Sequence, residues 1–386
     1  MNTLNKTHSD LPSFQQTPVL RRIDATDYPA LVEFCANFPK ETRSTAFWLQ
    51  RFHFWWEDNP AFVPEFPRGC LLESGTQVVG MFALIPTRIS WNGKVQLAAN
   101  MSCWRVLPTL RKYSLQMFVA IMEYASAYPI FDTTPTLEVR TILQRVPFIH
   151  YSKKVKTETI LIHRSLETGW LENTKEIYRI YLNWVPALRT ENKIIAITRA
   201  MWLYLKQMQR LKRAADGQGE LKCVTDIGPA FDQLWHRTQD RYSFTNVREA
   251  SDLRWYITKN PNARKMTLLV HEKQGELLAY GLFMRVSTHH WPDRETFYAV
   301  DLWSAAPDKI NLLPLLGYAL NIANQQGMQV LRIPHYHDVL SDLCSDIGVT
   351  YASSDSMNSY YYPPQSCQPS PEMTTYISKN MGDFGL

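Results

Sequence analysis

Closely spaced cysteines are missing from this sequence. Its six cysteines are scattered over 386 residues and no Cys-x-x-Cys pair occurs, so neither a disulfide framework nor a zinc site is expected. No uncharged apolar run reaches about 18 residues, so no transmembrane helix is expected. The polar segment Met1–Gln16 lacks the apolar core of a secretory signal. These absences predict a cytoplasmic protein with reduced thiols.

A strong excess of charge is also missing, because 41 Lys and Arg stand against 36 Asp and Glu and the formal net charge is only +5. Nucleic-acid-binding proteins usually concentrate a larger basic excess on one face, so no nucleic acid is expected as a partner. The small excess suits an anionic ligand such as a phosphorylated cofactor. Aromatic residues make up 12% of the chain and are compatible with a ligand cleft as well as with a core.

The length of the chain exceeds one ordinary core and predicts two domains of about 150–180 residues each. In the first half, the pattern predicts a strand at Val19–Ile23, two helices that end before Asn59, and three strands that end at Val106. It also predicts a turn at Asn92-Gly93 before the last of these strands, and then alternating helices and strands as far as His163. This order is typical of an α/β fold with a mixed sheet, and not of a purely parallel sheet.

The second half repeats landmarks of the first. An Asn-Pro pair ends an aromatic-rich helix at 59–60 and again at 260–261, and Gly80 and Gly281 each follow the proline by twenty residues. Asn-Pro is also a common helix stop, but the equal spacing favours two diverged copies of one module. The predicted organisation is a disordered segment 1–17, a cofactor-binding module 18–165, a helical linker 166–219, a second module 220–364 and a tail 365–386.

Three blocks of the first module resemble GNAT acyl-CoA N-acyltransferases in their order and spacing. They are the opening strand and helix in Val19–Phe34, the run Val106–Gln116 after the long strand, and the later helix and strand that end at Phe148. In that family the second block reads Val-x-Pro, two residues, Arg or Gln, two residues, then Gly-x-Gly or Gly-x-Ala, and it binds the pyrophosphate of coenzyme A. The resemblance implies two tandem GNAT domains joined by a helical linker, with an acyl-CoA co-substrate that is expected to be acetyl-CoA.

The cofactor loop departs from the family pattern, because Ser114 stands in place of the first glycine, Gln116 in place of the second small residue, and Pro147 in place of a later glycine. Serine is small enough for backbone N–H groups at a helix N-terminus to approach phosphates. Alternatively, Arg111 and Lys112 form a solvated first turn, although cations are unfavourable there without an anion. The residues that the resemblance assigns to the cofactor are Trp104, Arg105, Val106, Arg111, Lys112, Tyr113, Ser114 and Leu115.

The chemistry of the family is the attack of an amine on a thioester, whose carbonyl is polarised by backbone N–H groups of the fourth strand. A base takes the proton of the amine and an acid can protonate the thiolate. Tyr151 is the candidate acid and Asp132 the candidate that orients the amine, the alternatives being a packing aromatic and a helix cap. Trp55 and Asp301 are candidates for binding the acceptor, the alternatives being a core residue and a satisfied surface residue.

No comparable loop follows the corresponding strand of the second module, so at most one cofactor site is predicted. We therefore expect an N-acyltransferase that moves an acyl group from acyl-CoA to a primary amine, such as an amino sugar or an amino acid. One alternative is a non-catalytic tandem module that binds CoA or a partner, because both loop glycines are missing. Another is a peripheral membrane helix within 190–213, with basic residues near anionic lipid, although Arg199 in the apolar stretch counts against it.

Overall fold

The structure is a computed structural model of the chain. It describes residues 16–146, 148–150, 157–161, 174, 177–178, 189, 191–215, 219–288, 291–306, 308–328, 330–334, 340, 342–343, 352–353, 360–362 and 374–378. In chain order the strands and helices are β1 (Val19–Arg22), α1 (Tyr28–Ala36), α2 (Thr45–Phe52), β2 (Gly69–Ser74), β3 (Gln77–Trp91), β4 (Lys94–Val106), α3 (Ser114–Met122), β5 (Ile130–Asp132), α4 (Leu137–Leu143), β6 (Ile149–His150), β7 (Thr157–Leu161), α5 (Lys193–Ala215), β8 (Glu220–Val224), α6 (Pro229–Thr238), β9 (Phe244–Asn246), α7 (Ala250–Thr258), β10 (Met266–Lys273), β11 (Glu276–Thr288), β12 (Trp291–Ser304), α8 (Asp308–Gln325), β13 (Val330–Pro334), β14 (Ala352–Ser353), β15 (Tyr360–Tyr362) and β16 (Thr375–Tyr376).

Two compact units share the chain. Unit 1 comprises residues 1–88, 97–150 and 359–369, and unit 2 comprises 89–96, 151–358 and 370–386. Each unit contains a sheet with both parallel and antiparallel pairs, so the predicted α/β class with mixed sheets is confirmed.

The sheet of unit 1 has the strand order β1-β2-β3-β4-β5-β15-β6. The pairs β1–β2 and β2–β3 are antiparallel, whereas β4 and β5 are parallel. The hairpin of β3 and β4 turns at Asn92 and Gly93, whose φ angles of 47° and 75° are both left-handed. An Asn-Gly pair adopts such angles at low cost, which is why the sequence predicts the turn correctly. The tip of this hairpin, residues 89–96, belongs to unit 2.

The second helix of unit 1 carries its aromatic residues into the core. After α2 the chain continues as a π-helical turn, His53–Glu57, and Trp48, Trp55 and Trp56 are all 0% exposed. The indole N–H of Trp56 donates to the carbonyl of Leu84 at 2.8 Å. Trp55 is therefore a core residue in this structure and not part of an open acceptor cleft, because its large apolar ring gains more from complete burial than from lining a wet surface.

Two strands lie in a different sheet from the one that their sequence position suggests. Strand β7 falls within the predicted first module, yet it pairs antiparallel with β13 and β14 in unit 2. Strand β15 falls within the predicted second module, yet it pairs antiparallel with β5 and β6 in unit 1. The sequence pattern indicates where a strand forms, whereas its partner is set by contacts between distant residues, so the module boundaries differ from those expected.

The sheet of unit 2 has the order β14-β7-β13-β12-β11-β10-β8, with β12 and β13 parallel. Helix α8 packs against β10, β11 and β12. Gly281 pairs with Leu269 on one side and Leu302 on the other, and a Cβ atom there would lie 2.5 Å from the ring of Phe283. Gly80 pairs with Leu72 at a similar place in β3. In both units a strand, two helices, three strands, a helix and a parallel strand follow one another, except that the short strand β9 lies between the two helices of unit 2. Their origin from one duplicated module stays a prediction.

Helix α5 begins at Lys193 and packs against α8 in unit 2. In the part of the chain that the structure describes, no helix combines the length and apolar character needed to cross a bilayer. Residues 1–15 of the predicted disordered segment 1–17, most of the linker before 191 and most of the tail lie outside the described residues.

Candidate functional site

The parallel strands β4 and β5 separate soon after they meet. Their pairing covers Ala99 with Ile130 and Asn100 with Phe131. Beyond it, β4 continues through Met101–Val106, whereas β5 ends at Asp132. We call these two diverging ends the fork. The part of β4 that follows Asn100 therefore lies outside its ladder with β5.

A backbone irregularity marks the middle of the fork. Cys103 has a φ of 51°, which is left-handed and rare for a residue other than glycine. Such conformations cost about 1–3 kcal/mol and concentrate at functional sites. The thiol of Cys103 hydrogen-bonds with that of the buried Cys35, and this bond together with burial raises the pKa of Cys35 well above its ordinary value. The irregularity changes the direction in which the β4 backbone groups point at this position.

Four polar residues are buried where the strands part: Asn100, Ser102, Asp132 and Thr133. The hydroxyl of Thr133 donates to the side-chain oxygen of Asn100 at 3.3 Å. The carboxylate of Asp132 accepts the backbone N–H of Thr134 at 3.2 Å. The cap of α4 is supplied by Thr136 and not by Asp132, so the capping alternative for Asp132 is wrong. Sequence reasoning missed Asn100 and Ser102, although their positions at i and i+2 in the apolar run 97–103 were a signal that could have indicated them.

The segment after β4 turns toward a helix N-terminus. The N–H of Leu107 donates to the carbonyl of Val79 at 3.0 Å, and a 3₁₀-helix, Pro108–Tyr113, leads into α3. Arg111 and Lys112 lie on this turn and are exposed. Helix α3 has no acidic residue in its first turn and no side-chain cap at its N-terminus. An anion would complement both the basic turn and the positive end of the helix dipole.

The other residues of the loop divide into exposed and half-buried positions. Ser114, the first residue of α3, is half-buried, and Leu115 is 63% exposed. Tyr113 packs against the core of unit 1, and the ammonium of Lys112 lies 5.1 Å from the centroid of its ring. The predicted cofactor residues from Arg111 to Leu115 are therefore grouped around one helix start.

The three strand residues assigned to the cofactor have their side chains engaged elsewhere. The ring of Trp104 stacks on Phe82 at 4.7 Å and on Phe118 at 5.4 Å between ring centroids. Val106 is 8% exposed and belongs to the same core. The side chain of Arg105 is held by an ion pair. In this arrangement a ligand in the fork would meet the backbone of these residues and not the side chains of Trp104 and Val106.

A groove borders the fork on the side of the loop between α1 and α2. It encloses about 360 Å³. Its lining consists of Phe38, Pro39, Lys40, Glu41, Thr42, Arg43 and Arg105. Glu41 accepts bonds from the guanidinium groups of Arg105 at 2.8 Å and Arg43 at 3.3 Å. Lys40 is left-handed, with a φ of 68°. Three cations surround one carboxylate, so the groove carries an excess of positive charge. Sequence reasoning missed this groove because charged and polar residues are common in the loops between helices and give no sign of a site.

The electrostatics of the groove keep Glu41 ionised. Burial alone would raise its pKa, but the backbone N–H groups of Arg43 and Thr42 and the guanidinium of Arg105 outweigh that effect, and the pKa lies below its ordinary value. The guanidinium of Arg105 also lies 4.8 Å from the ring centroid of the buried Trp48 and 5.2 Å from that of Phe38. Glu41 therefore acts as an anchor that fixes Arg105 and Arg43, and it is a poor proton acceptor.

Unit 2 contains a second strand that extends past its parallel neighbour, but polar side chains of the protein fill the space beside it. Strand β12 pairs with β13 only as far as Tyr298. Asp301 is 0% exposed and accepts bonds from Arg248 at 3.0 and 3.2 Å and from the hydroxyl of Tyr280 at 2.6 Å. Asp301 is thus neither surface-facing nor open to an acceptor, because a buried carboxylate needs a buried cation as partner.

The backbone of β12 is also engaged. The hydroxyl of Tyr376 donates to the carbonyl of Leu302, and the guanidinium of Arg241 donates to the carbonyl of Ser304 at 2.6 Å. The cavity that remains among these side chains measures about 10 Å³, about the room that one water molecule needs. This cavity is too small for a cofactor.

Two of the predicted sites need a separate statement. Tyr151, the candidate acid, lies outside the described residues. Within the described part of the chain, no group of three or more His, Cys, Asp or Glu residues is arranged to hold a metal ion.

No family model and no curated protein matches this chain. Solved structures do. The N-myristoyltransferase of Saccharomyces cerevisiae with bound myristoyl-CoA has a TM-score of 0.52 at 13% identity, over 98% of this chain and 92% of that one. A GCN5-related N-acetyltransferase from Anabaena variabilis has a TM-score of 0.54 at 9% identity, over 91% and 74%. Another from Kribbella flavida has a TM-score of 0.51 at 10% identity, over 83% and 64%.

These similarities show the fold. The chain has the mixed α/β fold of the GNAT acyl-CoA N-acyltransferases, as the resemblance of Val19–Phe34 and Val106–Gln116 predicts.

Proposed function

We propose that this protein is an acyl-CoA-dependent N-acyltransferase with one cofactor site, at the fork of unit 1. The observation that carries the proposal is the path of β4: it outruns β5 by the segment Met101–Val106, bends at Cys103, and leads directly into a basic turn and an uncapped helix N-terminus. A linear ligand with a phosphate-bearing end and a thioester end fits that order of features. In unit 2 the corresponding space is filled.

In this proposal the pyrophosphate of coenzyme A binds at the start of α3. The backbone N–H of Ser114 already donates to the carbonyl of Arg111, so the side chains of Arg111 and Lys112 and the N–H of Leu115 are proposed to supply the donors and the positive charge. A hydrogen bond to a charged group contributes about 1.5–3 kcal/mol, so removal of one such cation is expected to weaken binding by about tenfold or more. The pantetheine then runs along β4 and places the thioester near Cys103.

The proposed transfer is a direct attack. The neutral amine nitrogen bonds to the thioester carbonyl carbon, backbone N–H groups of β4 near Cys103 stabilise the oxyanion, and the C–S bond breaks to give an amide and the CoA thiolate. The proton of the amine passes to a base, for which Asp132 is the nearest candidate at the fork, and the thiolate is protonated, for which Tyr151 is the candidate. The acyl group is proposed to be acetyl, and longer chains are an outcome of the test below.

The acceptor is proposed to enter through the groove beside Arg105. Lys40, Arg43 and Arg105 outnumber the single carboxylate of Glu41, so the groove favours an amine that also carries an anionic group. An amino acid or a phosphorylated amino sugar has both. Arg43, which is 37% exposed, has room to exchange part of its contact with Glu41 for such an anion.

The first experiment measures ligand-induced stabilisation. The full chain is heated with acetyl-CoA, with longer acyl-CoAs up to myristoyl-CoA, and with free CoA. A ligand about 100-fold above its Kd stabilises the folded state by about 2.7 kcal/mol, which gives a readily measured rise in Tm. Ser114→Trp should abolish the rise, whereas Ser126→Trp, at an exposed position of the same unit, should not. Absence of a rise with every acyl-CoA would contradict the proposal.

The second experiment separates catalysis from binding. Release of the CoA thiol is followed with amines that have or lack an acidic group. Arg43→Gln is expected to raise KM for acidic amines without changing the Kd of the acyl-CoA. If acyl-CoA binds and no amine promotes thiol release, the protein is a CoA-binding module without transferase activity, and the catalytic part of the proposal is rejected.

A further inference from the structure

The charge of helix α5 is entirely of one sign. Its 23 residues, Lys193–Ala215, include six basic residues and no acidic residue. The chain as a whole has a net charge of +5, so this one helix, with six basic residues, accounts for the entire excess, and the rest of the chain is nearly neutral. Arg199 of this helix forms an ion pair with Glu191, which precedes it.

One face of α5 is buried within unit 2. Ala196 and Ala200 are 0% exposed and Tyr204 is 7% exposed, and they pack with Ile177 in a small core. The helix as a whole contacts α8. These contacts fix which side of α5 faces the protein and therefore which side faces outward.

The outward face is apolar as well as basic. Four large side chains are more than half exposed: Ile194 at 74%, Ile195 at 59%, Trp202 at 55% and Leu205 at 59%. At the rotation of an α-helix, these four fall within an arc of about 100°. Arg199, Lys206 and Arg210 occupy the next part of the surface, about 40° wide. Single exposed apolar residues are ordinary, but a continuous strip of them beside a row of cations marks an interaction surface.

The arrangement of the strip resembles what an interfacial helix presents to lipid. The ammonium of Lys206 lies 4.6 Å from the ring centroid of Trp202, so this cation lies directly against the apolar strip. Tryptophan prefers the boundary between headgroups and acyl chains. Cations beside the strip would lie at the level of anionic headgroups.

Other occupants fit less well. A nucleic acid would be attracted by the cations but would leave Ile194, Ile195 and Leu205 without an apolar partner. A second copy of the chain would bring two helices of the same charge together. A bilayer with anionic lipid satisfies both halves of the surface at once. We infer that the outward face of α5 is a membrane-surface site that binds anionic lipid bilayers, with Trp202 and Leu205 inserted and Lys206 and Arg210 at the headgroups. This inference does not depend on the proposed acyl transfer.

The test uses the full chain and flotation with vesicles. Vesicles of equal parts phosphatidylcholine and phosphatidylglycerol should carry the protein upward, and vesicles of phosphatidylcholine alone should carry much less. Added salt should reduce binding to the mixed vesicles, since the attraction of the cations is screened. Each cation near an anionic surface contributes about fivefold to partitioning, so Lys206→Gln combined with Arg210→Gln should reduce binding by about 25-fold.

Matched variants show whether vesicle binding depends on the outward face of α5 or on exposed apolar residues in general. Trp202→Ser combined with Leu205→Ser should reduce binding at least tenfold at any salt concentration, because insertion is lost. Ile310→Ser removes an equally exposed apolar side chain of the same unit and should leave binding unchanged. All variants alter exposed positions, so their thermal unfolding should match that of the unchanged protein. The inference is overturned if the protein does not float, if it floats equally with phosphatidylcholine alone, or if the α5 variants bind like the unchanged protein.

Discussion

Replacing Asp301 with asparagine distinguishes a structural carboxylate from one that binds an acceptor. Asp301 and Arg248 are both 0% exposed in their side chains and are joined by two hydrogen bonds. Asparagine keeps the shape of the side chain but removes its charge, which leaves the guanidinium of Arg248 buried without its counterion. Loss of one partner from a buried ion pair costs about 3–5 kcal/mol in the free energy of unfolding.

The surroundings of the pair favour the lower end of that range. The guanidinium of Arg248 keeps neutral acceptors, the hydroxyl of Thr245 at 2.6 Å and the carbonyl of Asn246 at 2.7 Å, and lies 4.0 Å from the ring centroid of Trp303. Unit 2 has about 230 residues, and for domains of that size each kcal/mol shifts Tm by about 2–4 °C. Asp301→Asn should therefore lower the Tm of this unit by about 6 °C or more.

The assay is urea unfolding followed by tryptophan fluorescence, together with acceptor kinetics. Glu295→Gln is the control, because Glu295 lies on the same strand and pairs with Arg285 in an exposed ion pair worth no more than about 1 kcal/mol. The double variant Arg248→Met, Asp301→Leu should lose less stability than Asp301→Asn, since both charges are gone. If Asp301→Asn unfolds like the unchanged protein and instead raises the KM of an amine, the carboxylate faces a ligand and the reasoning is refuted.

Three further predictions concern unit 1 and the thiols. Gly69→Ala should lower the free energy of unfolding in urea by about 3 kcal/mol or more, because the backbone φ is 115° and the added Cβ would lie 2.1 Å from the carbonyl oxygen of Phe82. Gly228→Ala is the control: the space around Gly228 is open, so this change should alter the free energy of unfolding by less than about 1 kcal/mol. Burial raises the pKa of Cys70 to about 12, so iodoacetamide at mildly alkaline pH should label the exposed Cys223 and spare Cys70 until the protein unfolds, as mapped by peptide mass spectrometry. Because the folded pKa of Glu41 is lowered, its contribution to stability is present above the ordinary value of 4.5 and is lost as the pH falls through the folded pKa, and Glu41→Gln should flatten that part of the pH profile of urea unfolding.

The sequence predicts local features of the fold well. The Asn92-Gly93 turn, the long strand that ends at Val106 and the helix break at Asn59-Pro60 all follow from the conformational preferences of a few adjacent residues. The exchange of β7 and β15 between sheets could not be predicted in the same way, because a strand of five or three residues carries too little pattern to specify a partner two hundred residues distant. Pairing of that kind is decided by the packing of the completed sheet.

Sequence reasoning could indicate the loop residues of the candidate site, but not the strand and groove residues that surround it. Arg111 and Ser114 are identified by their position in a family pattern, which depends on spacing alone. The left-handed φ of Cys103 has no local signal, since cysteine rarely adopts it and the strand on either side enforces it. Glu41 meets Arg105 across 64 positions of sequence, so their ion pair is a property of the fold. Asp301 shows the opposite error. Its polar side chain in an apolar strand suggests a ligand-binding residue, whereas in the structure it pairs with the buried Arg248.

The exchanged strands also constrain the order in which the protein can be completed. The sheet of unit 1 contains β15, Tyr360–Tyr362, between β5 and β6. During translation, every residue of the candidate cofactor site is therefore synthesised before this strand of the same sheet exists. Until then no strand bridges β5 and β6, and the edge of β5 opposite β4 lacks the partner that it has in the complete sheet. A fragment that stops at the apparent end of the first module would lack that strand, whereas acyl-CoA binding is expected only from chains translated past residue 362.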